Sequence, residues 1–243
     1  MRVFAVIPVL NEEGAIGTTL ARLPAEYVHA AIVVDGGSRD GTVAEARAAG
    51  ATVIVESRPG YGQACARGAA AARTAGAEIV LFLDGDGADP VEQAPVLLAP
   101  LMAGTADFTL ASRTRGPRAA GAMGWHQIIA GRTIGAALRI IAGVGYTDMS
   151  AFRAIRAEDL AALDMREMTY GWNLEMQVRA ARAGLRVREF ALPYGRRVAG
   201  QSKVAGNLRG SLRAGARILT TLARLALAPR GPSLVRPRPL DAG

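Results

Sequence analysis

The 243-residue chain has one cysteine, Cys65, and two histidines, His29 and His126. A single thiol excludes an internal disulfide and every zinc or iron–sulfur site built from several cysteines. The histidines have no metal partners at a matching spacing, which leaves them ordinary surface or core roles. A reducing compartment suits this composition. Aromatic residues make up only 5% of a chain that is half hydrophobic, so the core is one of small and branched aliphatic side chains packed at short helix-to-sheet distances. Trp125, Tyr170 and Trp172 are read as packing residues rather than a sugar platform or interfacial anchor. An uninterrupted apolar run of about 18 to 20 residues, the length a bilayer requires, is missing. The stretch 128–146 is broken by Arg132 and Arg139, and 218–228 is short and carries Arg224. Residues 3–10 lack the basic leader and cleavage site of a secretory signal and read as a first strand.

Acidic residues are scarce in two stretches. Basic residues stand without acidic ones over 113–146, and twelve basic residues face only Glu189 over 186–238, within a formal net charge of +8. That asymmetry points to a polyanion: membrane phospholipid, nucleic acid or a phosphorylated substrate. Composition alone fits a solvated arginine-rich face equally well. Nucleic acid is the poorest of the three, because the chain has neither a helix-turn-helix pattern nor an aromatic–basic stacking platform.

What is present is a repeating strand–helix pattern. Apolar runs at 3–10, 30–35, 52–56 and 79–83 alternate with helical stretches at 13–23, 41–49 and 62–75. This spacing predicts an α/β fold with a mostly parallel sheet, right-handed crossovers and helices on both faces. Further along, 94–102 reads as helix, 107–111 as strand, 116–124 as a loop, 126–142 and 173–183 as helices, and 185–194 as strand. Residues 206–227 space Leu208, Leu212, Leu219, Leu222 and Leu225 at helical intervals, with Arg209, Arg213, Arg217 and Arg224 between them, the pattern of an amphipathic basic helix. The organisation expected is a domain at 1–205, that helix at 206–228 and a disordered tail at 229–243.

Ligands of such sheets bind beyond the carboxyl ends of the strands. The unusual residues stand there: Asn11 and Glu12 after the first strand, Asp35 ending the second, 58–62 after the third and 84–89 after the fourth. The sequence Asp84-Gly85-Asp86-Gly87-Ala88-Asp89-Pro90 sets carboxylates two apart on a glycine-containing turn, an arrangement that addresses one hard cation such as Mg2+ or Mn2+. A polar turn with capping carboxylates is the plainer reading. Gly60, Gly62 and Gly68 read as a tight turn into a helix more than as a phosphate cradle.

Ile7-Pro8-Val9-Leu10-Asn11-Glu12-Glu13, the stretch from Val33-Val34-Asp35-Gly36-Gly37-Ser38 to Thr42, and the Asp84 loop together resemble the nucleotide-binding half of the family 2 glycosyltransferases. Ala111-Ser112-Arg113, Thr147-Asp148-Met149-Ser150-Ala151-Phe152-Arg153, Gly171 through Glu175, and Arg197 through Lys203 are similar to its dolichyl-phosphate mannose synthase-like branch. The resemblance, over residues 3 to 205, implies a GT-A fold, a nucleotide-sugar donor, a divalent metal and inversion at the anomeric carbon. It implies that Pro8, Asn11 and Glu12 line the nucleotide pocket and that Asp35 bonds the base. Asp84 and Asp86 would hold the metal, Arg113 would stand near the phosphates or the acceptor, and Arg197, Ser202 and Lys203 would close over the diphosphate. Two positions depart from the pattern. Gly36 stands where a second aspartate is usual, and Ala88 where a glutamine is usual, with Asp89 as the substitute metal ligand.

A phosphate acceptor is already ionised near neutral pH, whereas a hydroxyl acceptor requires a general base. Asp148 and Glu175 are the candidates, each with a plain alternative as turn, cap or helix residue. The reading expected is hexosyl transfer to a polyprenyl phosphate or similar lipid phosphate by a cytoplasmic enzyme peripheral to the inner membrane face, without a nucleic-acid partner. The alternatives are a hydroxyl acceptor and, more distantly, a non-enzymatic basic binding protein.

Overall fold

The computed structural model describes residues 1–199, 208–227 and 234, with side chains except at 125–130, 132, 141–142 and 208–214. In chain order the elements are β1 (Val3–Val9), α1 (Ile16–Ala21), β2 (Ala30–Asp35), α2 (Thr42–Ala48), β3 (Thr52–Val55), α3 (Tyr61–Thr74) and β4 (Ile79–Phe82). A 3-10 turn (Val91–Gln93) then leads to α4 (Ala94–Met102), β5 (Phe108–Ser112), α5 (Trp125–Ala142), β6 (Arg153–Arg156), α6 (Ala157–Ala162), α7 (Trp172–Arg182), β7 (Val187–Ala191) and α8 (Leu208–Leu227). The sheet order is β3-β2-β1-β4-β6-β5-β7, parallel throughout except for β6, which runs antiparallel to both β4 and β5.

Strand periodicity divides the core into two layers. On β1, Val3, Ala5, Ile7 and Val9 face a cluster with Ile16, Leu20, Leu97 and Leu98, while Phe4 and Val6 face another with Cys65, Leu174 and Met176. Helices α1 and α4 therefore cover one face, and α3 and α7 the other. Each fully buried aliphatic side chain contributes about 1.5 to 3 kcal/mol, which is why these strands read as unbroken apolar runs. Gly68 lets α3 lie close to the sheet, since a Cβ there would strike Val6 and Val34; packing, rather than a turn, explains that glycine.

The mostly parallel sheet expected from the sequence is what forms, and β6 is its one antiparallel strand. Its four residues, Arg-Ala-Ile-Arg, carry charge at both ends and give no apolar run. The reversed direction has a consequence for the site. Arg153 pairs in register with Phe82 at the end of β4, so the segment entering β6 is delivered to the carboxyl edge of its neighbours.

Helix α8 is helical as expected, but it is not a free appendage. Ile218, Leu222 and Leu225 pack into the core beside α7, and Arg217 and Arg224 turn inward to Glu167 at 3.2 Å each. Of the expected apolar stripe, Leu219 faces outward at 65% exposure, and Leu227 is 88% exposed. No helix among the described residues is long and apolar enough to cross a membrane. The tail at 229–243 lies outside the described residues except Leu234, whose N–H donates to Ala183 O at 2.7 Å.

Candidate functional site

The loops after β1 and β2 are tied together first. Asn11 takes a left-handed backbone (φ 51°), a conformation asparagine tolerates better than most residues. Its N–H donates to Ser38 Oγ at 2.8 Å, and its Oδ1 accepts the Arg39 N–H at 2.8 Å. Asp35, buried at the end of β2, accepts the N–H groups of Gly37 and Ser38 and the Ser38 hydroxyl. Its carboxylate thus holds its own turn, a task the expectation of a base-binding residue had not included. Pro8 sits half-buried on β1 in register with Val34.

The Asp84 loop follows β4. The Asp89 carboxylate accepts the Asp84 N–H at 3.1 Å, and Asp86 Oδ1 accepts the Ala88 N–H at 2.9 Å, so the acidic turn is held by its own side chains. Burial, and then the Asp86 charge, push the Asp84 carboxyl up to about 7; burial and both neighbouring carboxylates raise Asp89 well above the usual range. Three carboxylates crowded this way repel one another and leave negative charge that a cation relieves. Among the described residues no three His, Cys, Asp or Glu side chains are placed to hold a metal ion alone. The set suits a hard divalent cation that takes one or two carboxylates and completes its shell with phosphate and water.

Two arginines answer this acidity. Arg197 reaches Asp86 Oδ2 and Glu12 Oε1, each at 2.8 Å. Its segment is strapped to the loop by Gly195 N–H to Ala88 O (2.9 Å) and Val198 N–H to Asp86 O (2.8 Å). The Glu12 N–H is fixed in turn by Thr42 Oγ1 at 2.8 Å. Arg113, just past β5, grips Asp148 in a fork: Nε to Oδ2 at 2.7 Å and the terminal nitrogen to Oδ1 at 2.8 Å. Its guanidinium lies over the Tyr194 ring, 5.3 Å from the centroid. Burial would raise the Asp148 carboxyl, but the Arg113 charge and its hydrogen bonds win and lower it.

The structure therefore brings Asn11, Glu12, Asp35, Asp84, Asp86, Asp89, Arg113, Asp148 and Arg197 to the loops at one sheet edge. Glu175 has a different task. Fully buried, it accepts the backbone N–H groups of Arg166 (2.8 Å) and Glu167 (2.6 Å) and Arg179 Nε (3.0 Å), and none of these partners belongs to the Asp84 group. Its hydrogen bonds are thus made inside the fold, to the 166–167 backbone and to the next turn of α7. Ser202 and Lys203 lie outside the described residues. The sequence reading missed Tyr194, which looked like the end of a strand. It also gave Arg153 no role; that guanidinium is fully buried, with Nε and one terminal nitrogen lacking a hydrogen-bond partner.

The chain matches the glycosyl transferase family 2 profile over residues 4–162. It is 40% identical to an uncharacterised glycosyltransferase of Mycobacterium tuberculosis, over 86% of this chain and 93% of that protein. It is 32% identical to the undecaprenyl-phosphate mannosyltransferase of Micrococcus luteus, over 86% of this chain and 90% of that protein. Among solved structures it superposes on glucosyl-3-phosphoglycerate synthase from Mycobacterium tuberculosis, in complex with Mn2+, uridine diphosphate and glucosyl-3-phosphoglycerate. The TM-score is 0.74 at 25% identity, covering 94% of this chain and 81% of that one.

Proposed function

The chain belongs to glycosyl transferase family 2 and is a glycosyltransferase, and from that premise we propose that it is an inverting enzyme moving a hexose from a nucleoside-diphosphate sugar to a polyprenyl phosphate. The observation that carries the donor half is the self-braced acidic turn at Asp84, Asp86 and Asp89, facing Arg197 and Arg113. Pro8, Asn11, Glu12 and Asp35 bound the nucleotide pocket in this reading, with Ser202 and Lys203 assigned to the diphosphate. Asp84 and Asp86 hold a divalent cation, Mg2+ or Mn2+, with Asp89 keeping the loop in shape beside them. When bound, the metal stabilises the negative charge that develops on the departing diphosphate. Arg113 and Arg197 add positive charge on the same side, and groups held in place before reaction stabilise the transition state more than the ground state.

Two observations favour a lipid phosphate acceptor and the dolichyl-phosphate mannose synthase-like branch. The M. luteus relative matches over most of both chains. Asp148 and Glu175 are also both occupied, which suits a nucleophile that arrives ionised and needs no base. The second reading is a small phosphorylated hydroxy acid as acceptor. It is favoured by the synthase superposition, since one of those complexes contains phosphoglyceric acid.

Differential scanning fluorimetry with UDP-glucose and GDP-mannose, each with and without Mn2+, tests the donor half. A ligand at a hundredfold excess over its dissociation constant stabilises the fold by about 2.7 kcal/mol, a rise of about 5 to 10 °C for a chain of this size. No shift with any nucleotide sugar sinks the proposal.

Peripheral attachment to the inner membrane face of the cytoplasm is part of the same proposal, supported by the outward Leu219 and Leu227 and by Ile140, exposed at the end of α5. Because α8 is packed into the core, deleting it confounds binding with folding. Leu219→Asp with Leu227→Asp leaves the docked face intact and should reduce co-sedimentation with anionic phospholipid vesicles; unchanged binding discards α8 as the anchor.

A further inference from the structure

We infer that Glu167 is a positioning residue through which the docking of α8 sets the amino end of α3 at the donor pocket. The inference rests on the proposed donor site at the carboxyl edge of the sheet. Glu167 is almost fully buried, yet it accepts five hydrogen bonds from two directions. Three come from α8: Arg217 Nε at 3.2 Å, Thr221 Oγ1 at 3.0 Å and Arg224 at 3.2 Å. These residues, four and then three apart, form one stripe of the helix, so α8 aims its inner polar face at a single carboxylate. The other two are the N–H and hydroxyl of Thr169 in Glu167's own loop.

That loop, 165–170, is pinned from below by Glu175, through the N–H groups of Arg166 and Glu167. Its far side seats α3. Met168 O accepts the Gln63 N–H at 2.9 Å. Gly60 has φ +139° and no room for a Cβ beside Met168 O, and a Cβ on Gly62 would come within 2.5 Å of Glu167 O. These contacts make the two glycines a requirement of loop packing. Beyond them, Gln63 Nε2 reaches Glu56 Oε2 at 3.4 Å, and the Glu56 N–H bonds Asp35 O at 2.9 Å. A continuous run of contacts thus joins α8 to the ends of β2 and β3. A buried carboxylate keeps its place only while its partners compensate the charge, which makes Glu167 the point where loss of α8 contacts would be felt.

Glu167→Gln removes the charge at nearly constant volume, and Arg217→Met with Arg224→Met removes the same pairing from the helix side. Amide hydrogen exchange is measured on wild type and both variants. Exchange of 57–66 should accelerate by about two- to thirty-fold, the span typical of substitutions along a coupled network, while 3–9 stays unchanged. Acceleration confined to 165–170 and 208–227 overturns the inference and leaves Glu167 as a tether for α8 alone. Thr221→Val, which deletes one hydrogen bond with little change in shape, should give a smaller change in the same direction should either larger change prevent folding. Dissociation constants for uridine diphosphate and guanosine diphosphate, each with Mn2+, form a second readout. The nucleotide that wild type binds should bind Glu167→Gln more weakly by a similar factor, and an unchanged constant also counts against the inference. Wild type binding neither nucleotide refutes the donor site, while the exchange result still decides whether α8 and α3 are coupled.

Discussion

Asp84→Asn and Asp86→Asn should each reduce turnover by about three to four orders of magnitude, since a metal clamp on a departing diphosphate supplies several kcal/mol of transition-state stabilisation. Both changes preserve shape: an asparagine at position 86 can still accept the Ala88 N–H through its side-chain oxygen, and the backbone N–H that Asp89 accepts at position 84 is untouched. The loop therefore keeps its fold while losing charge. Isothermal titration with Mn2+ in the presence of uridine or guanosine diphosphate separates the metal role from others, and wild-type-like metal affinity in both variants would remove these residues from the site. The same titration carries a pH signature. Asp84 lies at about 7 in the folded protein because burial and Asp86 oppose its charge. A folded value above the unfolded one near 3.8 means that its ionisation destabilises the fold progressively as pH rises from about 4 to about 7. A bound cation reverses that cost, so Mn2+ affinity should weaken as pH falls through about 7.

Much of this arrangement can be read from residue order. Strands β1, β2 and β4 are continuous apolar runs because helices cover both sheet faces, and polar residues interrupt them at the carboxyl edge, where ligands bind; Asn11, Asp35 and Asp84 stand out for that reason. What stayed hidden depends on partners distant in sequence. Strand β6 is four residues flanked by arginine, identifiable only from its pairing with β4 and β5. The inward turn of Arg217 and Arg224 was invisible because arginine between leucines reads as a solvated or lipid-facing stripe until Glu167, fifty residues earlier, is seen beneath it. The two backbone N–H groups that Glu175 accepts are likewise absent from its sequence neighbourhood, since they come from the loop before α7.

Asp148→Asn separates two roles that sequence alone could not. The carboxylate is 2% exposed and accepts the Arg113 N–H, two guanidinium hydrogen bonds and the Met149 N–H, so its geometry is that of a holder. Removing its charge leaves Arg113 mostly buried without its counter-ion, at a cost of about 3 kcal/mol. Because the folded carboxyl lies below its ordinary value, its stabilisation is present above the unfolded value near 3.8 and lost as pH falls through the folded value. The melting-temperature gap between wild type and Asp148→Asn should therefore be complete at neutral pH and close below about pH 4. Turnover should fall about a hundredfold through misplacement of the Arg113 guanidinium, while the pH–rate profile of the residual activity keeps its shape. A general base behaves otherwise: its loss removes the limb of that profile on which its own ionisation acts. Disappearance of that limb in Asp148→Asn, with Arg113 still in place, would return Asp148 to the role of base and favour a hydroxyl acceptor over a phosphate.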